Sequence, residues 1–330
     1  MATRDMTINF SALSCWIVTE GMAGTENQCL GVSDALGIKP EIKRIALQEP
    51  WRTLAPYMGF EMKVSFKPSL IPPWPDLVIA SGRKAVSAAR YIKKNSSKTF
   101  VTFIQNPRIN QQRFDLVAVP HHDNISGKNI LVTDGAPNRI TNEKLQTAKE
   151  EFSHLFRPMK GRRIAVCIGG KSKTHRLSAS ILEHLCGQLK QLEASLMITT
   201  SRRTGEENTA FIKSHLCNEQ HYIWDQQSQN PYWGMLAWAD IIIVTEDSTS
   251  MISEAATTGK PTYIVKLEGH SARFDRFHNH LKNLGAIRNF NGIVEKWTYV
   301  PLDDAKKIAD AIRKSLWHRE KDLYQNCEAL

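Results

Sequence analysis

The chain alternates short apolar runs with segments whose apolar positions recur at helical spacing. In the first half, the predicted strands are 12–19, 76–80, 99–104, 116–119 and 130–133, and the predicted helices are 25–36 and 84–93. Apolar strands that alternate with helices are typical of a parallel sheet covered on both faces. The first half therefore predicts a doubly wound α/β lobe.

The second half repeats this pattern after a stretch, 156–163, that combines proline, glycine and charge. Its predicted strands are 163–168, 195–200, 222–224, 240–245 and 262–265, and its predicted helices are 178–192, 248–258 and 303–317. We predict two Rossmann-like lobes, 1–157 and 158–330, that face each other across a cleft. The last helix either closes the second lobe or crosses back to the first.

The composition of the chain favours an anionic ligand. The chain has 330 residues, 42% hydrophobic and 23% charged, and a net charge of +10, which attracts phosphates and anionic surfaces. The chain has no dense run of basic residues interleaved with aromatics, so we do not predict a nucleic-acid groove. The six cysteines are scattered, which disfavours a disulfide or metal framework. Without a long apolar segment we expect a cytoplasmic protein, at most peripheral to the inner face of the membrane. The sequence predicts no particular oligomeric state.

Ligands of open parallel sheets bind beyond the carboxyl ends of the strands, so the loops there carry the candidate site. The loop after the first strand contains two carboxylates, Glu20 and Glu26, that are candidate general bases. Thr25 and Gln28 have the spacing of a capping box. The loop residues on this predicted acceptor side are Gly21, Gly24, Thr25, Asn27 and Gln28. The alternative is an ordinary turn in which Glu26 only complements a helix dipole.

The loop after the strand 163–168 combines glycines with cations. Its candidate phosphate ligands are Gly169, Gly170, Lys171 and Arg176. The spacing does not match a Walker A loop, which disfavours ATP hydrolysis of that type. The alternative is a solvated basic loop.

The strand 240–245 leads into a run of hydroxyl side chains at a helix start. Ser248, Thr249 and Ser250 would meet a diphosphate there, because backbone N–H groups converge at a helix N-terminus. Glu254 shares a helix face with Ser250 and could reach the hydroxyls of a diol. The alternative is an ordinary cap with a surface glutamate. The run 266–278 adds further cations and imidazoles to this edge.

Four segments resemble the bacterial branch of the mitochondrial-fission (elongated-mitochondria) protein family: 16–31, 104–108, 168–170 and 244–251. The resemblance extends from about Trp16 to about Ile312. Plant members of this family are described as adaptors that help to recruit a dynamin-related GTPase. The resemblance therefore implies an interaction protein as one reading.

A more distant resemblance concerns chemistry. The segment from Trp238 to Pro261 is similar to the donor site of GT-B glycosyltransferases such as the peptidoglycan N-acetylglucosaminyltransferase. This resemblance implies diphosphate binding by Ser248, Thr249 and Ser250 and ribose binding by Glu254. The first loop lacks the histidine of that enzyme, which leaves Glu20 or Glu26 as the base. No Asp-x-Asp motif occurs, so we expect no metal and no cofactor.

We therefore predict a metal-independent GT-B-type glycosyltransferase. It would transfer a sugar from a nucleotide-sugar to an unidentified acceptor, such as a lipid-linked or cell-envelope precursor at a membrane surface. The alternative is a non-catalytic adaptor on the same fold. A nucleotide-sugar epimerase is a third, less favoured alternative, because that chemistry normally needs a Gly-x-Gly-x-x-Gly turn and a Tyr-x-x-x-Lys pair, and the chain has neither.

Overall fold

The computed structural model describes residues 9–57 and 59–328. In chain order the strands are β1 (Cys15–Thr19), β2 (Glu41–Arg44), β3 (Ala46–Leu47), β4 (Phe66–Lys67), β5 (Leu77–Ser81), β6 (Phe100–Ile104), β7 (Leu116–Pro120), β8 (Ile130–Thr133), β9 (Arg163–Ile168), β10 (His175–Arg176), β11 (Ser195–Thr200), β12 (Tyr222–Ile223), β13 (Ile241–Thr245), β14 (Thr262–Val265), β15 (Glu268–Gly269) and β16 (Ile287–Asn289). The helices are α1 (Ala23–Leu36), α2 (Trp51–Leu54), α3 (Ala85–Asn95), α4 (Asn142–Glu151), α5 (Ser153–Phe156), α6 (Ala179–Lys190), α7 (Glu206–Leu216), α8 (Tyr232–Trp238), α9 (Thr249–Thr257), α10 (Ala272–Asn283) and α11 (Asp304–Glu328). Short 3-10 helices cover Phe10–Ala12, Lys63–Ser65, Gln111–Arg113 and His121–Asp123.

The chain divides into two compact units. Unit 1 comprises Met1–Arg139 with Asp303–Leu330, and unit 2 comprises Ile140–Leu302. Each unit is built on a six-stranded parallel sheet, in the order β2-β1-β5-β6-β7-β8 in unit 1 and β12-β11-β9-β13-β14-β16 in unit 2. The predicted class of two Rossmann-like α/β lobes is confirmed.

The division of the chain differs from the predicted boundary at 157. Helices α4 and α5 belong to unit 2, because Phe152 and Phe156 are buried with Met235 and Leu236 in its core. A side chain at Gly234 would collide with the ring of Phe152. The proline- and glycine-containing stretch after α5 is thus a turn into β9 within unit 2.

Of the two positions that the sequence allows for the last helix, α11 occupies the one in unit 1. Ile308, Ala309 and Ile312 are buried in a cluster with Val32 and Leu36 of α1. The carboxylate of Asp304 at the start of α11 accepts hydrogen bonds from the backbone N–H groups of residues 134 and 135, at 2.8 and 2.7 Å. Helical spacing predicts this helix, but its packing partner depends on the tertiary fold.

The strands after which ligands should bind lie close to their predicted positions. β9, β11 and β14 match the predicted bounds, while β13 begins one residue later, at Ile241. All four are buried along their whole length, except for the half-buried Arg163. Helix α9 ends at Thr257, and Gly259 follows with a φ of 73°, as expected for a glycine after a helix C-terminus.

The pattern did not predict the small elements between β1 and β5. β3 and β4 form a two-residue antiparallel ladder, and α2 has four residues. Such short pieces contain too few residues for a hydrophobic period to emerge. Among the described residues, no helix combines the length and apolar character that a membrane span requires.

Candidate functional site

The N-terminus of α9 lies at the carboxyl end of β13, where the sequence places the phosphate site. Ser248 is the N-cap, and its Oγ accepts a hydrogen bond from the N–H of Met251 at 3.3 Å. Thr249 and Ser250 are half-buried in the first turn. The first turn of a helix leaves N–H groups without intrahelical partners, so this end can receive an anion.

Asp247, directly before the N-cap, is a buried carboxylate that connects three loops. Its Oδ1 accepts a hydrogen bond from Thr245 Oγ1 at 2.7 Å, and its Oδ2 accepts one from Gly170 N at 3.1 Å. The Nη1 atom of Arg203, in the loop after β11, lies 2.7 Å from the same Oδ2. Because 41% of the Arg203 side chain is exposed, this cation is held in place on one side and open on the other.

Glu246 holds a second cation in the same way. Its Oε2 lies 2.8 Å from Lys266 Nζ, and its Oε1 accepts a hydrogen bond from Leu267 N at 2.6 Å. The buried His278 lies beside it, with Nδ1 at 3.8 Å from Oε2, and burial lowers the pKa of His278 to about 4. Lys266 is 53% exposed while its carboxylate partner is 4% exposed. The two residues before the N-cap of α9 therefore each hold an accessible cation.

The sequence patterns do not single out Arg203, and Lys266 is only part of the longer run 266–278. Their positions in the sequence could have identified them, because both residues lie within three positions of the end of a strand at this edge. Their partners, Asp247 and Glu246, directly precede the hydroxyl run 248–250.

The two predicted glycines, Gly169 and Gly170, pack closely against neighbouring loops of unit 2. A Cβ at Gly169 would collide with the Asp247 carboxylate, and one at Gly170 would collide with the carbonyl oxygen of Arg203. Gly169 N donates to Thr245 Oγ1 at 2.7 Å, and Gly170 N donates to Asp247. Both N–H groups are already used by the protein, so phosphate binding by these two residues stays a prediction that their contacts do not favour.

The two predicted cations of this loop, Arg176 and Lys171, are both exposed but make different contacts. Arg176 on β10 is exposed and forms an ion pair with Glu268 of β15, with 2.7 Å between Nη2 and Oε2. Lys171 is also exposed, and its backbone N–H donates to the carbonyl of Arg203 at 3.0 Å. The loop thereby packs beside Arg203, with the side chain of Lys171 at the surface.

Glu254 lies one turn into α9 and is half-buried. Tyr232, at the start of α8, donates its hydroxyl hydrogen bond to Glu254 Oε2 at 2.8 Å. Burial raises the pKa of Glu254 to about 7, although the tyrosine hydrogen bond acts in the opposite direction. The carboxyl group is therefore held in one orientation and changes its protonation state near neutral pH.

The two candidate bases of unit 1 both have partners. Glu20 Oε1 accepts a hydrogen bond from Lys84 N at 2.7 Å, at the start of α3, and Lys84 Nζ lies 3.4 Å from Oε2. Glu26 forms two hydrogen bonds with Arg44, at 2.8 and 2.7 Å. The hydrogen bond from Arg44 lowers the pKa of Glu26, which reduces its strength as a base.

The predicted capping box at Thr25 is wrong. α1 begins at Ala23 with Met22 as its N-cap, and Thr25 Oγ1 donates to Met22 O at 2.9 Å. Gln28 is buried instead, and its Oε1 accepts a hydrogen bond from Gln105 Nε2 at 3.0 Å. The helix starts two residues before the predicted position, after a loop in which Gly21 has a φ of 79°.

Two further residues of this loop, Gly24 and Asn27, lie within α1 and are exposed. The structure thus brings the predicted residues of each half together at the carboxyl edge of that half's own sheet. Among the described residues, no group of histidine, cysteine and acidic side chains has the geometry of a metal site.

Comparison with solved structures shows the fold. The chain is similar to a UDP-N-acetylglucosamine 2-epimerase from Listeria monocytogenes, described as putative (TM-score 0.56, 13% identity, 93% of this chain and 98% of that one). It is also similar to the UDP-GlcNAc 2-epimerase of Neisseria meningitidis bound to UDP-GlcNAc (TM-score 0.51, 14% identity, 93% and 100%). MurG of Acinetobacter baumannii matches with a TM-score of 0.48 and 16% identity over 92% of each chain. The likenesses to the two epimerases, with TM-scores above 0.5, show a GT-B-type fold.

Comparison with curated proteins shows closer relatives. The mitochondrial fission protein ELM1 of Arabidopsis thaliana is 33% identical, in an alignment that covers 73% of this chain and 64% of the plant protein. The uncharacterized protein RP120 of Rickettsia prowazekii is 28% identical, in an alignment that covers 92% of this chain and 99% of that protein. The match thus spans less than two thirds of the plant relative. Since residues 23–316 also match the model of that family, the chain belongs to the mitochondrial fission ELM1 family.

Proposed function

We propose that the carboxyl edge of unit 2 binds the diphosphate of a nucleotide-sugar and that the chain is a metal-independent glycosyltransferase. The observation that carries this proposal is the pair of cations, Arg203 and Lys266, held by Asp247 and Glu246 directly before the N-cap of α9. A helix N-terminus beside two anchored cations is suited to an anion with more than one negative charge.

The proposed reaction relies on fixed cations rather than on a metal ion. A leaving nucleoside diphosphate gains negative charge as the sugar departs, and fixed cations stabilise that charge without reorganisation. In this proposal, the guanidinium of Arg203 and the ammonium of Lys266 stabilise the leaving diphosphate, as a divalent ion does in metal-dependent enzymes. The hydroxyls of Thr249 and Ser250 and the ammonium of Lys171 complete the phosphate contacts.

Glu254 would bind the ribose. Its orientation is fixed by Tyr232, which leaves Oε1 for a hydrogen bond from a diol. Its distance of one helical turn from Ser250 suits a sugar attached to a phosphate at the helix end.

On the acceptor side, Glu20 is the base that we propose. Its carboxylate is held by the start of α3, without the bidentate arginine that weakens Glu26. A lipid-linked or cell-envelope precursor is the acceptor class that we propose. The fold is supported by the comparisons, and the similar Neisseria enzyme is bound to UDP-GlcNAc.

Isothermal titration calorimetry with UDP-, CMP-, GDP- and ADP-sugars tests the donor site. We expect one of them to bind and Glu254→Gln to weaken its binding, while the matched control Glu219→Gln, an exposed carboxylate of the same unit, has no effect. Absence of binding by every nucleotide-sugar and free nucleotide would refute the proposal.

The second candidate is a non-catalytic adaptor, which the 33% identity to the plant fission protein favours. An adaptor predicts that Glu254→Gln leaves function in cells intact. A cell-based complementation assay with this variant therefore separates the two candidates.

A further inference from the structure

Exposed apolar side chains are concentrated in one segment of unit 1. Among the described residues, six of the twelve large apolar side chains that are exposed lie between positions 54 and 71. They are Leu54 (47% exposed), Tyr57 (66%), Phe60 (61%), Met62 (52%), Val64 (64%) and Ile71 (48%). Such a concentration on one segment marks an interaction surface rather than scattered exposure. We call these six residues the apolar patch.

The backbone beneath the apolar patch is fixed. Arg90 and Glu61 form a buried ion pair, and Arg90 Nη1 also donates to the carbonyl of Pro56 at 3.1 Å. Trp51 Nε1 donates to Phe60 O at 3.1 Å, and Arg83 Nη2 donates to the carbonyl of residue 55 at 3.0 Å. The outward apolar side chains are therefore presented by an anchored segment rather than by a loose loop.

The exposed charge around the apolar patch is mainly positive, because the neighbouring exposed carboxylate, Glu49, is paired with Arg52 at 2.6 Å. The stretch 51–71 contains one carboxylate, Glu61, and that group is buried against Arg90. Lys63 and Lys67 are exposed, and Arg83 lines the same groove as Leu54, Tyr57 and Phe60. Apolar and aromatic side chains beside exposed cations suit the interface of a bilayer that contains anionic lipid.

We propose that the apolar patch docks this chain onto the surface of an anionic phospholipid bilayer. The aromatic rings of Tyr57 and Phe60 enter the interfacial region, and Lys63 and Lys67 contact the headgroups. A second copy of the chain fits less well, because a two-fold contact through this patch would bring the same lysines of both copies together. The proposal is independent of nucleotide binding.

Co-sedimentation of the full chain with vesicles tests this proposal without any nucleotide. Vesicles of phosphatidylcholine alone are compared with vesicles of mixed phosphatidylcholine and phosphatidylglycerol. We expect binding to the mixed vesicles, weakened by added salt because exposed charges are screened. Lys63→Gln and Lys67→Gln should each weaken binding about fivefold, while the control Lys296→Gln should not.

The apolar contribution has its own variant and control. Phe60→Ser with Val64→Ser should weaken binding to mixed vesicles at least about tenfold. The control Ile293→Ser with Val300→Ser replaces exposed apolar residues of unit 2, at 64% and 85% exposure, and should bind like the wild type. All four replaced side chains are exposed, so thermal unfolding of both variants should match the wild type.

Three results would overturn the proposal. The first is a wild-type chain that does not sediment with mixed vesicles. The second is equal loss of binding in the patch variants and the controls. The third is a dimer, seen by light scattering, that Phe60→Ser with Val64→Ser dissociates, because the patch would then be covered by a second copy.

Discussion

The guanidinium of Arg203 lies 2.7 Å from the carboxylate of Asp247, the residue directly before the N-cap of α9. The carboxylate is fully buried, whereas the guanidinium is partly exposed. A buried carboxylate needs a partner, and a phosphate needs a cation that is already in position. This ion pair therefore compensates the charge of the buried carboxylate and also holds an accessible cation in position for an anion.

The first prediction concerns this ion pair. Arg203→Met should lower the free energy of unfolding by about 1–3 kcal/mol, because it leaves the buried Asp247 without its cation. Arg176→Met removes an exposed ion pair in the same unit and should cost much less, because solvent screens exposed charges. Urea denaturation of both variants measures the difference. Equal losses would show that Asp247 does not depend on Arg203.

The second prediction concerns the glycines after β9. Gly169→Ala and Gly170→Ala should each destabilise the protein by about 1–3 kcal/mol, because the added methyl groups collide with Asp247 and with the backbone at Arg203. Gly187→Ala is the control, since its position in α6 has open space around a Cβ and should gain about 0.5–1 kcal/mol. Thermal unfolding distinguishes them. Stable Gly169 and Gly170 variants would favour a role in ligand binding alone.

The third prediction concerns pH. Because burial raises the pKa of Glu254 to about 7 from its ordinary 4.5, the folded state holds this proton more strongly than the unfolded chain. Its contribution to stability is therefore full below pH 4.5 and is lost as the pH rises to 7. Relative to Glu254→Gln, the wild type should lose about 2–3 kcal/mol over this range. Parallel stability curves for the two proteins, measured by urea denaturation at each pH, would contradict the raised pKa.

The fourth prediction separates the two carboxylates of unit 1. With a nucleotide-sugar that binds, Glu20→Gln should reduce kcat by about 100-fold or more, the scale of general-base catalysis, with little change in donor affinity. Glu26→Gln should leave kcat near that of the wild type and change stability little, because Arg44 is exposed. Steady-state kinetics and calorimetry measure both effects. A larger loss of kcat in Glu26→Gln would reverse the assignment.

Most of the strands could be predicted because a parallel sheet covered on both faces needs nearly continuous apolar runs. The runs at β9, β11, β13 and β14 are of this kind, and each was placed within one residue. Ser248 was also recognisable, since a hydroxyl residue directly after a strand and before a helical pattern is a cap signal. These features are local, and the local sequence determines them.

The pairing of distant residues was decided by the tertiary structure alone. Arg203 meets Asp247 because β11 and β13 both neighbour β9, and the order of strands cannot be read from any one segment. The same holds for α11, whose apolar face could cover either sheet and packs against α1. Periodicity in the sequence determined the most apolar strands and the helices at 25–36, 84–93, 178–192, 248–258 and 303–317, but it missed others, including α7 and α10. Only the fold decided which carboxylates hold which cations, because that depends on contacts between residues far apart in the chain.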